Sequence, residues 1–151
     1  MSEEWRDNWI TPAHIMSQVV DFYDDEYYDP FPIKPTFDAF TTPWKGSKLW
    51  LNPPYSQLSK IVSLPQYEGK TSLWLTHHNH SSKWFKTLTG KCIAQCQLYD
   101  RVKFIDPRTM IESKSTAFGK CQTITLISPY TGKLDKFAEC FGELGNIMVK
   151  R

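Results

Sequence analysis

Strand-like and helix-like segments alternate along the chain. This alternation predicts a three-layer α/β fold, with helices on both faces of a mostly parallel sheet. Two apolar runs indicate buried strands most clearly, KLWL at 48–51 and TSLWLT at 71–76. The chain has 151 residues, of which 40% are hydrophobic and 15% aromatic, and this suits one compact domain over residues 1–151. Ligands of such sheets collect beyond the carboxyl ends of the strands, so a site is expected there.

The remaining elements follow from apolar periodicity and from capping residues. A helix is predicted up to Phe22, with Thr11 as its cap and Pro12 at its first position. Residues 24–44 are rich in Asp, Pro and aromatic residues and predict a long, functional loop in which Tyr27-Tyr28 is a short strand candidate. The other predicted helices are 56–64, 81–88 and 134–141, and the other predicted strands are 92–99, 102–105, 123–127 and 146–149.

Charge is divided unevenly along the chain, although the net charge is only +2. Residues 1–45 hold nine acidic and three basic side chains, whereas residues 46–151 hold fifteen basic and seven acidic ones. The basic part suits a phosphate-backbone partner, because lysine and arginine release condensed counterions when they bind one; an ordinary solvated surface is the alternative. No signal peptide and no membrane-spanning window is recognisable, so the sequence predicts a cytoplasmic protein.

Asn52-Pro53-Pro54-Tyr55 directly follows the first apolar run, which puts this motif at the carboxyl end of a predicted strand. An exocyclic amine on a nucleobase is a poor nucleophile, because its lone pair is delocalised into the ring. The side-chain oxygen of Asn52 and the carbonyl of Pro53 can accept hydrogen bonds from the two N–H groups of the amine and favour a tetrahedral nitrogen. The prolines stiffen the loop, and Tyr55 offers an aromatic face to a base that has left its stack. The motif predicts methylation of a planar amine; a turn with a buried aromatic residue is the alternative.

Other motifs accompany this one in a fixed order. They are Trp9-x-Thr11-Pro12, Tyr28-Asp29-Pro30, Phe37-Asp38-Ala39-Phe40, the motif itself extended to Ser56, Ser82-Lys83-Trp84-Phe85 and Asp100-Arg101-Val102-Lys103-Phe104. The ordered set spans roughly residues 5–128 and resembles the small DNA N6-adenine methyltransferases that bacteriophages and prophages carry.

That resemblance implies a reduced, Rossmann-like methyltransferase fold, S-adenosylmethionine as cofactor, DNA as substrate, and a place in the cytoplasm of a bacterial host. It also implies cofactor contacts for Trp9, Thr11, Pro12, Asp29, Pro30 and Asp38. The chain has no F-x-G-x-G loop, since its first glycine is Gly46, so residues 29–32 would take over that loop's role. The side chains predicted to contact DNA are Ser56, Lys83, Lys86, Arg101, Lys103 and Arg108.

Several alternatives remain open from the sequence. A catalytically inactive protein of the same fold, binding nucleic acid or a partner protein, is favoured by the short chain and the missing glycine loop. The same motif would also serve cytosine N4, RNA adenine or a protein glutamine. His77, His78 and His80 do not predict a metal site, because no carboxylate or cysteine beside them completes a ligand set. A homodimer is one way in which so small a domain would grip DNA.

Overall fold

One five-stranded sheet forms the centre of the protein in a computed structural model that describes residues 9–112 and 121–150. The strands are β1 (Lys48–Leu51), β2 (Thr71–His77), β3 (Ala94–Leu98), β4 (Gln122–Ile127) and β5 (Gly145–Val149), in the spatial order β1-β2-β4-β3-β5. β1 and β2 pair in parallel, whereas β2 with β4, β4 with β3 and β3 with β5 pair antiparallel. The prediction of a mostly parallel sheet is therefore wrong, while the α/β class is confirmed.

The error has a topological cause. β1, β2 and β3 all run in the same direction, as the alternation of strands and helices predicts, because β2 and β3 are both antiparallel to β4. β4 inserts between β2 and β3 and pairs with each of them, so two strands that follow each other in sequence are not neighbours in the sheet. An apolar run shows that a strand is buried but does not show its direction or its partner.

Four helices cover the two faces of this sheet in the described part of the chain. They are α1 (Ala13–Tyr23), α2 (Leu58–Ile61), α3 (Lys83–Lys91) and α4 (Lys133–Phe141). α1 and α4 pack on one face, where the rings of Phe22 and Phe137 meet edge to face at 6.3 Å. α2 and α3 pack on the other face around Trp74, which is fully buried. The predicted three layers are thus present, and none of these helices has the length and apolar character needed to cross a bilayer.

Three local predictions need correction or refinement. Thr11 does not cap α1, because Pro12 is the N-cap residue and its carbonyl accepts the first helical N–H groups, from Ile15 and Met16. Residues 102–105 are not a strand of the sheet, since Ile105 makes only isolated bridges, to Ile10 and to Glu112. Of the strand candidate at 27–28, Tyr28 forms one parallel bridge to Leu49 at the outer edge of β1.

The single domain predicted over residues 1–151 stays a prediction. Within the described ranges, the two apolar cores lie on opposite faces of the same sheet. β1 contributes to both, because successive strand side chains point to opposite faces: Trp50 packs with α1 and α4, whereas Leu49 and Leu51 pack with α2 and α3. The strand that precedes the proline motif is therefore held from both sides.

Candidate active site

The carboxyl ends of β1, β2 and β3 lie at the same end of the sheet. Asn52 follows β1 directly, and His78 follows β2 directly. Tyr28 lies beside β1 at the outer edge of the sheet and pairs with it in parallel. Its N–H donates to the carbonyl of Lys48, and its carbonyl accepts from Trp50 N–H. Asp29 and Pro30 therefore emerge next to the proline motif.

A cavity of about 520 Å³ opens at this point. Its volume lies within the range of about 300–1,000 Å³ that is usual for small-molecule sites. Most of the cofactor residues and half of the motif residues predicted from the sequence line this cavity: Trp9, Thr11, Asp29, Pro30, Asp38, Asn52 and Pro54. Of the described residues predicted for this site, Pro12, Pro53 and Tyr55 do not line it.

The apolar walls of the cavity include Phe37 and Phe40, from the motif at 37–40, and Phe31, from the segment 29–32. Residues that were not predicted for this site complete the walls: Ile10, Met16, Ile33 and Trp50. The loop aromatics are packed against one another: Phe31 meets the ring of Phe40 at 6.1 Å and that of Trp44 at 5.7 Å. Trp44 in turn donates from Nε1 to the carbonyl of Ala39 at 2.9 Å, which closes the loop on itself. The density of aromatic residues in 24–44 was the signal, but which rings turn inward depends on the packing.

Asn52 is held through its amide nitrogen. Nδ2 donates to the backbone carbonyl of Trp9 at 3.0 Å and to the hydroxyl of Thr11 at 3.1 Å. The Trp9 carbonyl can only accept, so the amide orientation is assigned by its partners. Oδ1 is then the end of the amide that can accept a hydrogen bond from a ligand in the cavity. This orientation agrees with the acceptor role predicted for Asn52, which stays a prediction.

Two carboxylates stand at the loop side of the cavity. Oδ1 of Asp29 accepts the N–H of Phe31 at 2.8 Å, and Oδ1 of Asp38 accepts the N–H of Phe40 at 2.9 Å. Each carboxylate thus closes a short turn through one oxygen and keeps its second oxygen for other partners. Burial raises the pKa of Asp29 to about 6, against the lowering effect of its backbone hydrogen bond, whereas Asp38 is exposed. Asp29 is therefore ionised at neutral pH but costly to keep charged without a cation beside it.

Tyr55 begins a short 3-10 turn, Tyr55–Gln57, behind the cavity wall. Its ring packs edge to face against His77 at 5.0 Å and Phe104 at 6.5 Å, and burial raises the pKa of its phenol. His77 also meets the ring of Trp84 at 4.9 Å, so this histidine belongs to an aromatic packing cluster. The role of Tyr55 as a stacking face for a base stays a prediction.

Similarity to known proteins extends over most of the chain. Residues 1–140 match the family model described as DNA N-6-adenine-methyltransferase (Dam). The chain belongs to the Dam family of DNA N-6-adenine-methyltransferases. It is also similar to a DNA N-6-adenine-methyltransferase of Haemophilus phage HP1 (strain HP1c1), with 28% identity over 106 residues. That alignment covers 64% of this chain and 58% of the phage protein, so the chain spans well under two thirds of that relative. No solved structure matches.

Within this Dam-family chain, the side chains predicted to contact DNA are all on the surface. Ser56, Lys83, Lys86, Arg101 and Lys103 are exposed. The last two alternate with buried Val102 and Phe104, so the segment is extended with its basic side chains outward. Arg108 is also exposed, but its guanidinium pairs with Asp106, with Nη2 at 2.9 Å from Oδ2 and Nε at 3.2 Å from Oδ1. Ser56 follows the motif directly in the sequence, and Arg108 is already paired with a neighbouring carboxylate.

Proposed function

We propose that this protein transfers a methyl group from S-adenosylmethionine to N6 of adenine in DNA. The observation that carries the proposal is the orientation of Asn52, whose nitrogen is bound to Trp9 and Thr11 and whose oxygen is left for a ligand at the cavity. Membership of the Dam family and the name of the phage relative support the choice of adenine and DNA. The three layers, with the cavity beyond β1, support a reduced Rossmann-like methyltransferase fold.

The residues around the cavity fit S-adenosylmethionine by their chemistry. This cofactor combines a flat purine, ribose hydroxyls, a positive sulfonium and a positive ammonium group, and when bound it supplies an activated methyl group. Aromatic side chains such as Phe31, Phe37 and Phe40 suit the purine, whereas the carboxylates of Asp29 and Asp38 suit the cationic and hydroxyl groups. A cation beside Asp29 would favour its ionised form and so offset the cost of its burial. No glycine-rich loop is needed for these contacts.

The protein's own part in the reaction is to hold the target amine. Oδ1 of Asn52 accepts a hydrogen bond from one N–H of the amine, and the carbonyl of Pro53, which does not line the cavity, would accept from the other after a local adjustment of the loop. These two hydrogen bonds localise the nitrogen lone pair as the amine attacks. Pro53 and Pro54 keep this loop stiff, so that little order has to be gained at each turnover. Tyr55 is positioned directly after these acceptors and would contact the extruded base after a local rearrangement of its ring.

DNA is held through its backbone in this proposal. Ser56, Lys83, Lys86, Arg101 and Lys103 would contact phosphates, and Arg108 would do so after exchanging Asp106 for a phosphate. The phage relative suggests that the protein works in the cytoplasm of a bacterial host cell. A homodimer stays a prediction.

The test is methyl transfer from labelled S-adenosylmethionine to unmethylated DNA, with mass spectrometry of the nucleosides to separate N6-methyladenine from N4-methylcytosine. Asn52→Ala is expected to lower kcat by about 10²–10³-fold, as for loss of one preorganised hydrogen-bonding group. Asn146→Ala, at an exposed position on β5, is the matched control and should leave kcat unchanged. Undiminished transfer by Asn52→Ala would contradict the mechanism. DNA binding without any transfer by the unchanged protein would favour the inactive alternative.

A further inference from the structure

Thr11 stands where a helix cap is expected, yet its hydroxyl does not serve α1. The helix begins after Pro12 without a side-chain cap, and Thr11 is 8% exposed. Its Oγ1 instead accepts a hydrogen bond from Nδ2 of Asn52 at 3.1 Å, across 41 residues of chain. We propose that Thr11 is a positioning residue, which with the carbonyl of Trp9 fixes the Asn52 amide so that Oδ1 faces the target amine. The inference rests on the proposed function and adds a role that differs from contact with the cofactor.

An asparagine amide has two ends that are similar in shape and opposite in hydrogen bonding. Rotation about its last side-chain bond exchanges Oδ1 with Nδ2, and this torsion is broad with two preferred states. With the nitrogen turned toward the substrate, donor would face donor and the amine would lose its acceptor. Only one of the two states is therefore productive, and something in the protein has to select it.

The selection is made by the Trp9 carbonyl, and the Thr11 hydroxyl, which can donate or accept, holds the amide in the selected state. A carbonyl can only accept, so at 3.0 Å it favours the nitrogen of Asn52 and disfavours the oxygen. The hydroxyl adds a second acceptor at 3.1 Å, on the same nitrogen. Nδ2 carries two hydrogens, so it can donate to both partners at once, which restrains the amide plane as well as its direction. Removing the hydroxyl leaves one bond, about which the amide can swing.

Both partners are themselves anchored. Between them lies Ile10, which exchanges two backbone hydrogen bonds with Ile105, at 2.9 and 3.0 Å. After them, the carbonyl of Pro12 starts α1 by accepting from Ile15 and Met16. The Trp-x-Thr-Pro segment is thus fixed on both sides, and Asn52 is the part that it orients. The Trp9 carbonyl and the Thr11 hydroxyl together form a clamp on the Asn52 amide. The Thr11 part comes from a side chain, so a substitution can remove it.

Steady-state kinetics of Thr11→Val and Thr11→Ser test the role. Valine keeps the shape of the side chain and removes the hydroxyl, so kcat should fall about tenfold, as expected for loss of one buried hydrogen bond, with KM for DNA and for S-adenosylmethionine within about twofold. Serine restores the hydroxyl and should recover most of kcat. Thr89→Val is the matched control, because Thr89 accepts a similar bond from Nε2 of Gln95 at 3.2 Å outside the cavity lining, and its kcat should not change.

A second measurement does not depend on activity. The side-chain NH2 resonances of Asn52 in the ligand-free protein should shift, and their hydrogens should exchange faster with water, in Thr11→Val but not in Thr89→Val. Unchanged kcat with unchanged resonances would overturn the inference, and so would a raised cofactor KM at unchanged kcat, which would make Thr11 a wall of the cofactor site. If the unchanged protein transfers no methyl group, the proposed function fails, while the resonances still decide whether the clamp exists.

Discussion

Two amide side chains lie at the same end of the sheet and are used in opposite ways. At the end of β1, Asn52 turns its nitrogen inward to Trp9 and Thr11. At the start of β4, Gln122 turns its oxygen inward, where Oε1 accepts the N–H of Val102 at 3.0 Å. Gln122 is 3% exposed and binds one segment of the fold to another, whereas Asn52 lines the cavity. The inner neighbour decides which end of an amide is presented outward: a carbonyl draws in the nitrogen, and an N–H group draws in the oxygen.

Asn52→Asp should have the largest effect on activity, because it removes the inward nitrogen that distinguishes Asn52 from Gln122. Aspartate matches the shape of asparagine but has no N–H to donate to the Trp9 carbonyl, so two acceptors would face each other. We expect kcat for DNA methylation to fall by at least about 100-fold, because the remaining oxygen is no longer held toward the amine. Asn146→Asp on β5 controls for the added charge. If Asn52→Asp keeps most of its activity, the hydrogen bonds from the Asn52 nitrogen are not needed for methylation.

Asp29→Asn tests whether the cavity holds a charge at a cost to folding. Its folded pKa of about 6 is raised above 3.8 by burial, so the contribution of Asp29 to stability is fully present below about pH 4 and is lost as the pH rises through 6. Asparagine removes this loss, and the variant should gain up to about 3 kcal/mol in free energy of unfolding at pH 7.5 and little at pH 4. Urea denaturation at both pH values measures it.

The same substitution should weaken the binding of S-adenosylmethionine, since the charge that opposes its cationic groups is gone. In the unchanged protein, affinity should fall as the pH drops through about 6, and calorimetric titration of Asp29→Asn should show a flatter pH profile. Asp38→Asn, at the exposed carboxylate, is the comparison variant. A gain in stability without any loss of affinity would mean that Asp29 is only a turn residue.

Gln122→Met gives the smallest effect and the opposite pattern to Asn52. Methionine fills a similar volume but leaves the buried N–H of Val102 without its acceptor, which should cost about 1–3 kcal/mol in free energy of unfolding. The kcat of the folded fraction should change much less than in Asn52→Asp. Denaturation curves and kinetics on the same sample separate the two quantities. A large loss of kcat in a fully folded sample would show that this amide also serves the site.

Seven of the residues predicted for the site line one cavity. The motif directly follows β1, and Asp29 directly follows Tyr28, which pairs in parallel with β1. Both therefore lie at the same end of the sheet. The aromatic loop was expected to be functional because of its composition. Which of its rings would line the cavity could not be predicted, because the contacts that hold them form only in the folded chain: Phe31 packs on Phe40 and Trp44, and Phe37 stacks on Tyr28.

By itself, the sequence indicated where the five strands and four helices of the described residues lie, although it also predicted a strand at 102–105 that is not part of the sheet. It indicated the position of Asn52 beyond a buried strand and predicted the chemistry of the motif. Periodicity and turn residues act over a few positions, so they are visible along the chain. The tertiary structure alone decided that β4 runs between β2 and β3, and that Thr11 serves Asn52 instead of α1. Both facts depend on contacts between residues far apart in sequence. Such contacts leave no pattern over a few neighbouring positions, so they become visible only in the folded chain.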